Sequence, residues 1–106
     1  MVKQVLAHAG FVEGETFKET RFLKPPKTTY AVFLDSFTSR GADSLNLIKD
    51  HEFTIELYSY SPDALSEIKI EDALDYFGLS YVKESRTWLQ DEQLYQVIYY
   101  FNYIEK

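Results

Sequence analysis

The stretch EQLYQVIYYFNYIEK, residues 92–106, decides the fold. Tyr95, Val97, Tyr99, Phe101 and Tyr103 alternate with Leu94, Ile98, Tyr100 and Ile104, and Gln96 and Asn102 fall among the second set. Residues two apart share a face of a pleated strand, so this is a β-strand with two largely apolar faces. Such a strand suits the middle of a sheet covered on both sides. Left bare, so aromatic a strand is an aggregation site. Helices of the same domain, or another copy of the protein, are expected to cover it.

Two further strands follow from the same alternation. HEFTIELYSY, residues 51–60, sets Phe53, Ile55 and Leu57 on one face against Glu52, Thr54, Glu56 and Tyr58. YAVFLDSF, residues 30–37, sets Ala31 and Phe33 against Val32 and Leu34. The polar run 38–46 around Gly41 is expected to be a hairpin tip or longer loop. Residues 16–23 alternate more weakly and carry guarding charges, as an edge strand does, until Pro25 and Pro26 stop the ladder. Residues 81–89 make a strand whose tight turn at Gln90 and Asp91 leads into the last one.

Helices are expected at two places. Val2, Val5, Leu6 and Ala9 have helical spacing and Gly10 can end the turn. Ser61, Pro62 and Asp63 form a start signal, with Ser61 at the N-cap. Ile70, Ala73, Leu74 and Phe77 make the buried stripe of the helix that follows, and Gly78 closes it. The order is therefore α-β-β-β-α-β-β in a single domain spanning 1–106. Its class is α+β, a mainly antiparallel mixed sheet of about five strands flanked by two helices.

Composition excludes several function classes. Without cysteine there is no disulfide scaffold, zinc–thiolate site or thiol nucleophile. No apolar run is long enough to span a membrane, and the first residues lack a signal-peptide core, so synthesis in a cytoplasm is expected. Seventeen acidic against eleven basic residues give a formal charge of −6, which disfavours phosphate-backbone binding as the main activity. His8 and His51 have no metal-ligand spacing, and the four glycines are too scattered to cradle a phosphate. Glu67, Glu71, Asp72 and Asp75 fall on one helix and are expected to be its solvated side. No cofactor, metal or enzyme signature emerges. The tyrosines of the last strand lack interleaved Lys or Arg, so core and subunit interface are preferred to base stacking.

The chain resembles a known family in the order of its segments. Pro25-Pro26-Lys27-Thr28-Thr29-Tyr30-Ala31-Val32 enters a strand, and Arg40-Gly41-Ala42-Asp43 leads to HEFTIELYSY. Ile70-Glu71-Asp72-Ala73-Leu74 then precedes Gly78, Tyr81-Val82-Lys83-Glu84 and the closing residues 92–99. From Pro25 onward this is similar to the small tail-terminator, or head-to-tail joining, proteins of long-tailed bacteriophages and prophages of Gram-positive bacteria. The resemblance implies a ring, commonly of six copies, that caps the tail tube and meets the head-completion or connector protein in the virion. DNA would pass through such a ring without sequence-specific binding, between walls better lined by acids, for which Asp43 and Asp50 are the candidates. Contacts to neighbouring subunits or to the tube are expected at Arg40, Asp43 and Asn46, with Tyr99 and Tyr103 as aromatic anchors. Two other roles fit the same residues: another head-completion or adaptor protein of that junction, and a small cytoplasmic α+β binding module.

Overall fold

The final strand is paired along both of its edges, and the sheet is laid out around it. In the computed structural model, which describes residues 1–40 and 48–105, the elements run α1 (Val2–His8), β1 (Phe17–Glu19), β2 (Tyr30–Arg40), β3 (Ile48–Ser59), α2 (Ala64–Tyr76), β4 (Tyr81–Lys83), β5 (Thr87–Leu89) and β6 (Leu94–Glu105). The sheet order is β1-β2-β3-β6-β4, and β5 also pairs with β6, beyond β4 along the same edge. Only β1 and β2 are parallel; the other pairs are antiparallel. The protein is an α+β fold.

Registers carry the alternation across the sheet. One face holds the rows Phe33↔Ile55↔Tyr99 and Ala31↔Leu57↔Val97. Both helices land there: Val2, Val5, Leu6 and Ala9 of α1 and Ile70, Ala73 and Leu74 of α2 join these side chains in the main core. Each helix ends with a glycine in the left-handed region, Gly10 at φ +100° and Gly78 at φ +69°. The amides of Gly10 and Phe11 donate to the carbonyls of Ala7 and Leu6, and those of Gly78 and Leu79 to Asp75 and Leu74. That double bond pattern satisfies carbonyls that the helix leaves open, and a side chain at that φ would be strained.

Several expectations need correction. The predicted strand over 81–89 is two short strands, because the chain leaves the ladder between Lys83 and Thr87, so the described residues form six strands rather than five. The turn into β6 takes four residues from Leu89↔Leu94, with Gln93 at φ +58°, rather than a tight pair. The predicted edge strand over 16–23 keeps only three residues, since Thr20 at φ +69° turns the chain away. The N-cap of α2 is Asp63, not Ser61: its carboxylate accepts from the Ser66 amide at 3.0 Å and from the Thr29 hydroxyl at 2.6 Å. Residues 38–40 belong to β2 and pair up to Arg40↔Ile48, so only the tip of the expected loop lies outside the described residues.

The larger correction concerns β6, on which the helices among the described residues pack against one face only. Tyr99 is 0% exposed, its ring is in the main core, and its hydroxyl donates to Glu71 Oε2 at 2.8 Å. It therefore cannot anchor a neighbouring subunit, as proposed from sequence. Alternation alone shows which residues share a face but not which face the helices take. Replacing Tyr99 by Ser should remove about 3–5 kcal/mol of stability by leaving a core cavity. Tyr99→Phe should cost about 1 kcal/mol, because Glu71 keeps its bond from Lys83. Thermal melts followed by circular dichroism read both, and a Ser variant as stable as the parent would remove Tyr99 from the core.

Candidate functional site

Three arrangements of side chains have chemistry beyond simple packing, and each hangs on the register of β6. On the helix side, Glu67 of α2 is only 8% exposed at its side chain, although its helix position suggested a solvated one. Its oxygens accept from Lys83 Nζ at 3.0 Å, Arg86 Nε at 2.9 Å and Arg86 Nη2 at 2.7 Å. Lys83 Nζ also reaches Glu71 at 2.8 Å. Burial pushes the Glu67 carboxyl up, but hydrogen bonds from Lys83 and Arg86 outweigh it and hold the group below the usual carboxylate range. The network ties α2 to β4 and to the break before β5, where the ladder is thinnest. No period-3.6 reading finds it; the only signal is two bases, Lys83 and Arg86, in an acidic chain.

The second arrangement centres on His51 of β3. Its Nδ1 lies 2.8 Å from Asp35 Oδ1 of β2, and its Nε2 lies 3.0 Å from Glu105 Oε1 of β6. The ring stacks on Phe53 with centroids 5.0 Å apart. The hydrogen bond to Asp35 raises the imidazole above its ordinary value, burial opposes this, and Glu105 adds to it. With both nitrogens engaged by carboxylates, the imidazole is a cross-strand tie rather than a base aimed at a substrate. It closes the floor of a 270 Å³ hollow against the start of α1, lined in part by Met1, Phe33 and Tyr103. Among the described residues no group of three or more His, Cys, Asp or Glu could hold a metal ion.

The third is the sheet face that no helix covers. Leu34↔Thr54↔Tyr100↔Val82 form one row across β2, β3, β6 and β4. Leu34 is 39%, Tyr100 41% and Val82 64% exposed, and Ile104 nearby is 52%. Glu52 and Glu56 stand either side of Thr54 on the same face, and the Tyr100 hydroxyl donates to Glu84 at 2.9 Å. The other end of this face is closed by a small cluster of Tyr30, Val32 and Leu94 packed with Phe22 and Tyr58. Leu34, Tyr100, Val82 and Ile104 thus expose apolar surface beside the carboxylates Glu52, Glu56 and Glu84.

Of the residues expected to make contacts, Tyr99 lies in the core and Tyr103 beside it. Arg40 ends β2, paired to Ile48 through its backbone. Asp43 and Asn46 lie outside the described residues. Tyr103 is half-buried, packed beside the core with its ring 6.5 Å from His51. Asp50 is level with Thr38 and Ile104 on the helix-free side of the sheet. Alternation places Leu34 and Tyr100 each on a definite face of its strand but does not tell which face the helices leave, and Val82 has no such signal in its short strand.

Glu67→Gln should cost about 2–3 kcal/mol, less than a fully buried pair, since Lys83 and Arg86 stay partly in water. Chemical denaturation checks it; a change below the error of the melt would make the network ornamental. For His51 the folded state favours the charged ring. Its contribution is present below the ordinary value of about 6.5 and fades as pH rises through the raised folded value. His51→Gln should flatten this part of the curve of melting temperature against pH, and an unaltered curve would remove the tie. The chain matches no protein-family model and no curated protein sequence.

Proposed function

We propose that this protein is a non-catalytic assembly protein of a long-tailed bacteriophage or prophage, the tail terminator that caps the tail tube and joins it to the head. The observation that carries it is the helix-free sheet face, with the Leu34–Thr54–Tyr100–Val82 row open to solvent across four strands. An isolated enzyme or carrier has little use for such a surface, which invites association. An assembly protein needs it. The segment order from Pro25 onward and its likeness to the tail-terminator family point to the same role.

In this role the functional form is a ring of copies, six by the family likeness, at the head–tail interface of the virion. One side meets the tail tube protein and the other the head-completion or connector protein. DNA passes through without sequence-specific binding, which suits a chain of formal charge −6. No cofactor takes part.

Light scattering over a wide concentration range, alone and with tail tubes of the encoding phage, tests the proposal. The expected result is a ring-sized species near six times the 12.5 kDa monomer, or tubes capped at one end. A strict monomer that leaves tubes uncapped would overturn it. Tyr100→Asp with Leu34→Asp should lower stability by about 1–3 kcal/mol in total, because both side chains are partly buried beside Glu52, Glu56 and Glu84. A thermal melt should show the monomer still folded. The pair should nevertheless abolish capping, as seen by electron microscopy of the mixed tubes. Undiminished capping would take the helix-free face out of the role.

A further inference from the structure

The sheet is complete only over half its length. β1 leaves β2 after Glu19↔Phe33, the last bond being Thr20 N–H to the Phe33 carbonyl at 2.9 Å. β4 begins at Tyr81↔Phe101, so no strand among the described residues pairs with β6 beyond that point. β2 and β3 nevertheless pair on to Arg40↔Ile48, and β3 and β6 to Lys49↔Glu105. The result is a three-stranded ribbon with two edges that no strand among the described residues pairs.

Which backbone groups face those edges follows from bonds already made nearby. On β2 the Ala31 amide and Phe33 carbonyl bond towards β1, so the odd positions Asp35, Phe37 and Ser39 turn their main-chain groups to the same open side. On β6 the Ile98 carbonyl accepts from Glu84 N–H, so the even positions Asn102 and Ile104 turn theirs to the other open side. The rows Ser36↔Glu52↔Asn102 and Thr38↔Asp50↔Ile104 put both edges at one level of the sheet. Since β2 and β6 are each antiparallel to β3, they run the same way.

We propose that copies of this chain join edge to edge, residues 35–39 of β2 in one copy pairing in parallel with residues 102–104 of β6 in the next. Two unlike edges at one level make a head-to-tail junction, and repetition of that junction about an axis along the strands closes a ring. Closure leaves no strand edge open, which is how sheets avoid uncontrolled growth. A two-fold pairing of β2 with β2, or of β6 with β6, would leave the other edge bare in every copy. This rests on the ring form proposed above and identifies the surfaces that make it.

The chain has no cysteine, so introduced thiols report the junction alone. Ser36 and Asn102 are exposed and level, at opposite edges of the ribbon. Ser36→Cys and Asn102→Cys would be treated with a short bismaleimide, each alone, mixed, and combined in one chain. The combined variant should give a ladder of covalent multimers, the mixture covalent dimers only, and each variant alone no product. Dimers from Ser36→Cys alone, or from Asn102→Cys alone, would overturn the proposal in favour of a two-fold junction. Ring-sized particles without any cross-link would overturn it while leaving the assembly role standing; a monomer under all conditions would sink both. Ile104→Pro removes an outward amide without breaking the bonds to β3, and should abolish rings at an unchanged monomer melt, whereas Ile104→Ala should keep them. Rings that persist with proline would also overturn the proposal.

Discussion

The pairing of β3 with β6, from Lys49↔Glu105 to Ser59↔Tyr95, is the constraint on which the rest depends. It brings together two segments separated by a helix and two short strands, and it settles which side chains share each face. A slip of one residue would exchange Tyr99 for Tyr100 on the helix side and drive a hydroxyl into an apolar core without its acceptor. The Tyr99 hydroxyl finds Glu71 only in the observed register, and burial together with that bond raises its pKa well above the ordinary phenol value. The core and the register therefore enforce each other. Once β6 is placed, β2 and β1 extend the sheet on one side, and β4 and β5 have only the far edge of β6 to join.

That far edge is weakly held by backbone alone, three pairs to β4 and three to β5. The Glu67 network supplies what the ladder lacks. A buried carboxylate is a poor source of net stability compared with an apolar side chain, but it is selective about position. Lys83 and Arg86 satisfy Glu67 only if β4 ends where it does and the chain leaves the ladder before β5. His51 does similar work at the other end, where it ties β2, β3 and β6 together through Asp35 and Glu105. Cross-strand carboxylates thus hold the places where hydrophobic cover is thin.

Period-two alternation made the three long strands legible in the sequence, and the two helices followed from the Gly10 and Gly78 stops and from apolar spacing. Class and element order could be read from those signals. Pairing partners could not, because a parallel neighbour such as β1 leaves the same local pattern as an antiparallel one. Glu67 was misjudged since a helix position two residues from a polar neighbour looks solvated until its tertiary partners arrive. Alternation treats both faces of β6 alike, so the sequence does not tell whether Tyr99 or Tyr100 is buried; α1 and α2 make that choice by packing on the Tyr99 face. Asp43 and Asn46 lie outside the described residues, so the candidate contacts there rest on the segment order.

The helix-free face and the two open edges make separate demands. The face is apolar in the middle and acidic at its rim through Glu52, Glu56 and Glu84, so two copies stacked face to face would set like charges against each other. Edges have no such penalty, since main-chain donors and acceptors are complementary whatever the side chains. In the ring proposed above, self-association runs along the strands' edges and is opposed across the face. On that proposal the face exposing Leu34, Tyr100 and Val82 stays available for a different protein, one that brings apolar side chains with cationic neighbours. In a ring built through its edges, every copy presents that surface in the same orientation, and modest contacts repeated around the ring add up as a multivalent attachment. The tail-terminator role proposed above, in which the ring grows no further and binds something unlike itself, would draw on this division between edge and face.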